Sequence, residues 1–344
     1  MSRHHIPNEH RQAVDVSTIA VIGAGPCGLG VGIAARRAGV DCTLFDRSCV
    51  ASSIAAYPTW MTFFSTAERL ELGGLPFTIS GDKPTRREAI RYYQRLALHF
   101  DLDVRQYHEV TDVEHGGGCF RVATRSRNGM SGAHEARNVV IATGYFDHPN
   151  RLDVPGADLL KLSYGYREGH AFFQQDVIVV GGGNSAVDAA LELYRWGARV
   201  TIVHFGPGLD PNVKPWVLPD ITGRIRNDEI RARWHSRIDR ISPASVRIRN
   251  EETGALEEIP NDWVLAMTGY TPDARLLRRL GVPIDPVTGI PAHDRETMET
   301  AVPGVFIAGV VAAGNDANKV FIENGRDHGD RILQSILKRR HSRR

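Results

Sequence analysis

Thr18-Ile19-Ala20-Val21-Ile22 runs directly into Gly23-Ala24-Gly25-Pro26-Cys27-Gly28. A β-prone run that ends in glycines and continues as small and apolar residues to Ala38 reads as strand, tight loop and buried helix, which Gly39 stops. Asp41-Cys42-Thr43-Leu44-Phe45 restores strand character and closes at Asp46. In this context the glycine pattern lets backbone N–H groups approach a pyrophosphate at a helix N-terminus, where the helix dipole favours anions. Asp46, about 20 residues further on, is placed to accept from the hydroxyls of an adenosine ribose. Gly23, Gly25, Pro26, Gly28 and Asp46 are the candidate residues of this first site.

The same unit recurs. Val177-Ile178-Val179-Val180 leads into Gly181-Gly182-Gly183-Asn184-Ser185-Ala186, a helix to about Trp196, and a strand over Arg199–Val203 that ends at His204. Gly181, Gly183, Asn184, Ser185 and Ala186 form the second candidate loop, with alanine in the last place, which the fingerprint permits. No acid stands near the end of that second strand. An acid there would select the free 2′-hydroxyl of NAD, so NADP is expected, with His204, Lys214, Arg224 and Arg226 as cations available to its phosphate. Two dinucleotide units in one chain suit a flavin that takes hydride from a nicotinamide, which assigns FAD to the first loop and NADPH to the second.

Ala142-Thr143-Gly144 and Met267-Thr268-Gly269 mark two crossings between domains. The expected fold is α/β, with two Rossmann-like domains, the second inserted in the first: residues 1–151 and 263–344 for FAD, 152–262 for NAD(P)H. Thr143 and Gly144, and Gly309 at the end of the buried run Val305–Ala308, join the candidate cofactor-binding residues. An amphipathic helix is expected from Pro84 to Phe100, and a C-terminal helix from about Asn318 to Lys338. Gly325 and Gly329, four apart, suit close helix packing.

The 344 residues are 42% hydrophobic and 24% charged with a formal charge of +2, an ordinary globular composition that gives no reason to expect a nucleic-acid partner. The polar first residues lack a secretory apolar run, and no stretch reaches the length of a membrane span. Cys27, Cys42, Cys49 and Cys119 show neither metal-ligand spacing nor a disulfide framework, so a reducing cytoplasm is expected.

The segments GAGPCGL, YPTWMTFFSTAERLELGGLPF, GGGNSAVDAALELYRWGA, VKPWVLPDI and GVFIAGVVAAGNDANKVFIENGRDHG resemble the low-molecular-weight branch of the thioredoxin reductase superfamily, and within it the YpdA-type bacillithiol disulfide reductases. The resemblance covers Ile19 to about Ile336. It implies an FAD enzyme that uses NADPH to reduce bacillithiol disulfide, working as a homodimer or higher homo-oligomer. It also implies an Arg after the histidine at the end of the second nicotinamide-domain strand, where this chain has Phe205.

No cysteine follows Cys119, so the C-x-x-C pair of thioredoxin reductases is missing, and Cys42 with Cys49 does not form the C-x-x-x-x-C of glutathione-reductase-like enzymes. The resemblance points to Cys27 as the thiol that attacks a disulfide. A helix N-terminus would lower its pKa, whereas a neighbouring pyrophosphate would oppose the thiolate. The alternative is a small residue packed beside the cofactor. Phe64, in the aromatic run Tyr57–Phe64, is a candidate wall of the flavin or substrate pocket. Asn315 and Lys319 lie at the passage from buried strand to last helix, where Asn315 or Asp316 could equally be an N-cap.

Three other functions share parts of this pattern. A ferredoxin or flavodoxin NADP reductase also needs no cysteine. A flavin monooxygenase would carry F-x-G-x-x-x-H, which Tyr164, Gly165 and His170 do not match in spacing. A flavin-binding redox sensor would not need an intact second loop.

Overall fold

The computed structural model describes residues 16–342. The reading of the first residues for a leader lies outside them.

The first domain is organised on β1 (Val16–Ile22), β2 (Cys42–Asp46), β3 (Asp103–Gln106), β4 (His108–Gly116), β5 (Cys119–Ser126) and β6 (Ser131–Ile141). Their order is β3-β2-β1-β6-β5-β4. Its centre is parallel, with Ile19 opposite Cys42 and Asn138, and it is buried on both faces, as the unbroken apolar runs require. β4, β5 and β6 continue it as an antiparallel meander.

The inserted segment gives β7 (Leu162–Ser163), β8 (Asp176–Val180), β9 (Arg199–Val203) and β10 (Arg231–Arg233). An antiparallel trio follows, β11 (Ser236–Ile241), β12 (Ser245–Asn250) and β13 (Leu256–Pro260), and then β14 (Trp263–Ala266). The second parallel sheet has the order β10-β9-β8-β14-β7. This corrects the boundary expected at Asp262: Trp263–Ala266 pairs with Val177–Val180, so the second sheet extends through Ala266. The buried runs on both sides make that pairing two-faced core, which the linker-like Asn261-Asp262 hides in the sequence. The crossings meet where Pro149 bridges to Tyr270 and Asn150 N–H donates to the Gly269 carbonyl at 3.0 Å. The last strand, β15 (Val305–Ile307), returns to the first sheet beside β6. The apolar cores follow the same division, one around β1 and β6 and two around the second sheet.

Helix boundaries are set by local capping. The helix expected from Pro84 starts at Arg86, because Thr85 caps it and exchanges bonds with Glu88. The expected single C-terminal helix is three pieces: the 3₁₀ turn Ala317–Lys319, a short helix Ile322–Gly325, and the long helix His328–Ser342. Asp316 and Asn324 bond to nearby backbone N–H groups and hold Val320 and Phe321 extended, which interrupts the helix. The long helix crosses the first helix, Pro26–Arg37, where a Cβ on Gly329 would stand 2.5 Å from the Gly30 backbone. Among the described residues no helix is long and apolar enough to cross a membrane.

Candidate functional site

At the first loop the three glycines have different tasks. A Cβ on Gly23, whose φ is +114°, would lie 2.3 Å from the Ala142 carbonyl oxygen, and one on Gly28 would lie 2.0 Å from that of Gly23. Those two glycines are therefore demanded by the protein itself. Gly25 has φ of −75° and open space around its Cβ position, and as N-cap it offers the helix no side-chain acceptor. The first amides of Pro26–Arg37 therefore have no side-chain cap, and beside Gly23 stands Thr143, whose buried Oγ1 has no partner. An uncapped helix end, an open glycine and an orphaned hydroxyl fit the pyrophosphate of a dinucleotide.

Asp46 sits at the end of β2, where one carboxylate oxygen accepts from Ala24 N–H and the other from Ser48 N–H, each at 2.8 Å. Burial raises its pKa in spite of these bonds. The Ser52 hydroxyl also bonds to this carboxylate, and a remaining acceptor direction is open to a ribose hydroxyl.

Cys27 belongs to this loop and lies in the first turn of the helix. Its sulfur is 2.9 Å from the Cβ position of Gly309 and 3.0 Å from that of Gly325, so both glycines are bare to make room for it. Burial pushes the thiol up to about 12. Of the two opposing influences expected on this thiol, neither sets its ionisation here; desolvation of the thiolate raises it. Gly309, with φ of +76°, donates its N–H to Nδ1 of His328 at 3.1 Å. Cys42 is likewise pushed up to about 12 by burial, with Asp103 adding to the shift.

The second loop repeats the first loop's backbone. Gly181, with φ of +133°, stands against the Met267 carbonyl, and Gly183 is an extended N-cap that supplies no side-chain acceptor. Ser185 is exposed and Ala186 buried. Asn184 ties down the following arm: its Nδ2 donates to the Asn212 carbonyl at 2.9 Å, and its Oδ1 accepts from Lys214 N–H at 3.0 Å.

Here the electrostatic expectations need correction. His204 is 4% exposed, its ring packed against Gly182 and Gly206, and burial lowers its pKa although Asp210 beside it favours the charged form. It is therefore no surface cation. An acid does lie close, since Asp210 Oδ1 is 3.2 Å from His204 Nε2 and its other oxygen is 3.1 Å from the Cβ position of Gly183. Lys214 is paired with Asp188 at 2.8 Å and its Nζ lies 4.4 Å from the ring centroid of Phe64. Phe64 thus joins the two domains through that contact. Arg224 is held by Asp220 and Glu229.

Asn315 is turned toward the 287–289 loop, donating to the Val287 carbonyl, and the cap of the following turn is Asp316. Lys319 pairs with Asp316 at 3.6 Å. Gly144, with φ of +71°, is the turn that leaves β6 for the crossing. His328 and Asp210 were missed in the sequence because the first meets Gly309 and the second meets Gly183 only through the fold.

The model of the pyridine nucleotide-disulphide oxidoreductase family matches residues 20–309. The chain is 44% identical to the bacilliredoxin reductase Bdr of Bacillus subtilis, covering 93% of this chain and 97% of that one. The solved bacillithiol disulfide reductase Bdr (YpdA) of Bacillus cereus superposes with a TM-score of 0.92 at 41% identity, covering 94% of this chain and 100% of that one. Its Staphylococcus aureus counterpart gives 0.89 at 38%, covering 94% and 99%.

Proposed function

The chain belongs to the pyridine nucleotide-disulphide oxidoreductase family, and from that premise we propose that it uses NADPH to reduce a low-molecular-weight disulfide, bacillithiol disulfide, to its thiol. The chemistry supplied when FAD is bound is two-electron transfer from NADPH to a disulfide. The chain's own part is to hold and orient. The amides after Pro26, which has no N–H of its own, take one pyrophosphate, Asp46 accepts from a ribose, and the Thr143 hydroxyl offers a hydrogen bond from beside the loop. The amides after Gly183 take the second pyrophosphate, while the pair Lys214–Phe64 fixes the arm between the domains.

The observation that carries the disulfide acceptor is the likeness to the Bdr proteins over nearly the whole chain. All four cysteines are free and form no redox pair, so a disulfide reduced by this chain is the substrate's own. The name of the Bacillus subtilis relative supports a second acceptor, a bacilliredoxin protein. A reducing cytosol and a homodimer belong to this reading.

NADPH oxidation by the yellow protein, compared with bacillithiol disulfide, a bacilliredoxin, ferredoxin, flavodoxin and oxygen as acceptors, tests it. Turnover with bacillithiol disulfide is the expected result. Turnover with ferredoxin or flavodoxin alone overturns it.

Cys27 has two roles open to it within this reading. As a carrier it attacks the substrate disulfide through its thiolate, forms a mixed disulfide and releases one thiol, and two electrons from the reduced enzyme then release the second. As a packing residue it only fills the space under Gly309 and Gly325, and the raised pKa and the close packing of the sulfur against those glycines favour this role. Cys27→Ala separates them. A carrier leaves bleaching by NADPH intact and loses disulfide reduction by about 100-fold or more, on the scale of a lost nucleophile. A packing residue retains both.

A further inference from the structure

We propose that Arg237, stacked on Phe205 beside the second glycine loop, recognises the 2′-phosphate of NADPH. In a βαβ nucleotide unit the ribose is read at the end of the second strand, by an acid for the free hydroxyl or by a nearby arginine for the phosphate. Here that strand is β9, and the residue after His204 is Phe205, which cannot pair with an anion. The fold supplies a cation from elsewhere. His204 N–H donates to the Arg233 carbonyl at 3.0 Å, Ser236 N–H to the His204 carbonyl at 2.9 Å, and His235 N–H to the Gly206 carbonyl at 2.9 Å. Pinned in this way, the start of β11 brings the guanidinium carbon of Arg237 to 4.6 Å from the Phe205 ring centroid.

Phe205 is 57% exposed, and a flat ring is a platform that orients a planar guanidinium while leaving its N–H edges outward. Nε of Arg237 donates to Glu251 at 2.9 Å, which leaves the rest of the fork for a phosphate. Access separates Arg237 from Lys214 and Arg224: its side chain is 54% exposed, against 15% and 26% for theirs. The acid near the loop, Asp210, is engaged by the His204 ring, with Oδ1 3.2 Å from Nε2.

The inference rests on the reading of the second loop as the NADPH site. The test is calorimetric titration of the FAD-loaded protein with 2′,5′-ADP and with 5′-AMP, which differ only in the 2′-phosphate. Wild-type protein is expected to bind 2′,5′-ADP at least tenfold more tightly. Arg237→Ala should abolish that ratio while 5′-AMP binds as before, and Arg237→Lys should restore part of it. A ratio unchanged in Arg237→Ala, equal weakening of both nucleotides, or equal affinities in wild-type protein would each overturn the role of Arg237 alone. Failure of both nucleotides to bind wild-type protein would overturn the dinucleotide reading of the loop and this inference with it.

Discussion

Nδ1 of His328, at the start of the last long helix, accepts the backbone N–H of Gly309 at 3.1 Å inside the first domain. Burial, with Arg331 and His293 adding to it, lowers this histidine from 6.5 to about 4. The ring must be neutral at that nitrogen to accept the bond.

A pH dependence of stability follows. The unfolded chain takes up a proton as pH falls through about 6.5, whereas the folded chain resists until about 4, so His328 costs stability progressively between these values. At one pKa unit per 1.36 kcal/mol the loss approaches about 3 kcal/mol near pH 4. His328→Asn keeps an acceptor and removes the titration. Thermal melts of both proteins at pH 7.5 and 4.5 should show a smaller acid-induced drop in the variant. An equal drop refutes the assignment.

Gly25 and Gly28 should fail in different ways when replaced by alanine. Gly25 has room for a side chain, so Gly25→Ala should fold with wild-type circular dichroism yet lose FAD affinity, because the methyl stands between pyrophosphate and amides. A tenfold loss, about 1.4 kcal/mol, is the least expected. Gly28→Ala puts a carbon 2.0 Å from the Gly23 carbonyl oxygen and should lower stability before any cofactor is added. Fluorescence titration of FAD and a melt of the apoprotein distinguish them.

Gly329→Ala tests the helix crossing. Its methyl would meet the Gly30 backbone at 2.5 Å, and backbone cannot rotate aside as a side chain can. The two helices must separate, at a cost of about 1–3 kcal/mol on the scale of overpacked cores. A Tm equal to wild type would show that the crossing is looser than described.

Native alkylation tests the thiols. With pKa pushed up to about 12, Cys27 and Cys42 carry almost no thiolate at pH 7.5. Iodoacetamide followed by peptide mass spectrometry should leave both unmodified in the native protein and label both in denaturant. Rapid labelling of native Cys27 would show an accessible thiolate and restore the carrier role.

The glycine loops were legible because their demands are local. Gly23 and Gly181 need positive φ, and the runs before and after each loop carry their strand and helix character within a few residues. Asp46 was legible for the same reason, at a fixed distance along one βαβ unit. Pairing across the chain was not. Asn261-Asp262 reads as a boundary, yet Trp263–Ala266 joins the second sheet because its partner, Val177–Val180, lies far back in the sequence.

By itself the sequence determined two dinucleotide loops, their order, and the absence of a redox cysteine pair. Tertiary structure decided the charges around them. It removed Lys214 to Asp188, buried His204 against Asp210, and carried Arg237 to Phe205 from a strand some thirty residues downstream. It also decided the Cys27 pKa, which burial raises, between the opposing influences the sequence left open. The physical reason is one of range. Backbone conformation depends on neighbours in sequence, whereas ionisation and ion pairing depend on desolvation and on whichever charges the fold brings within a few ångströms.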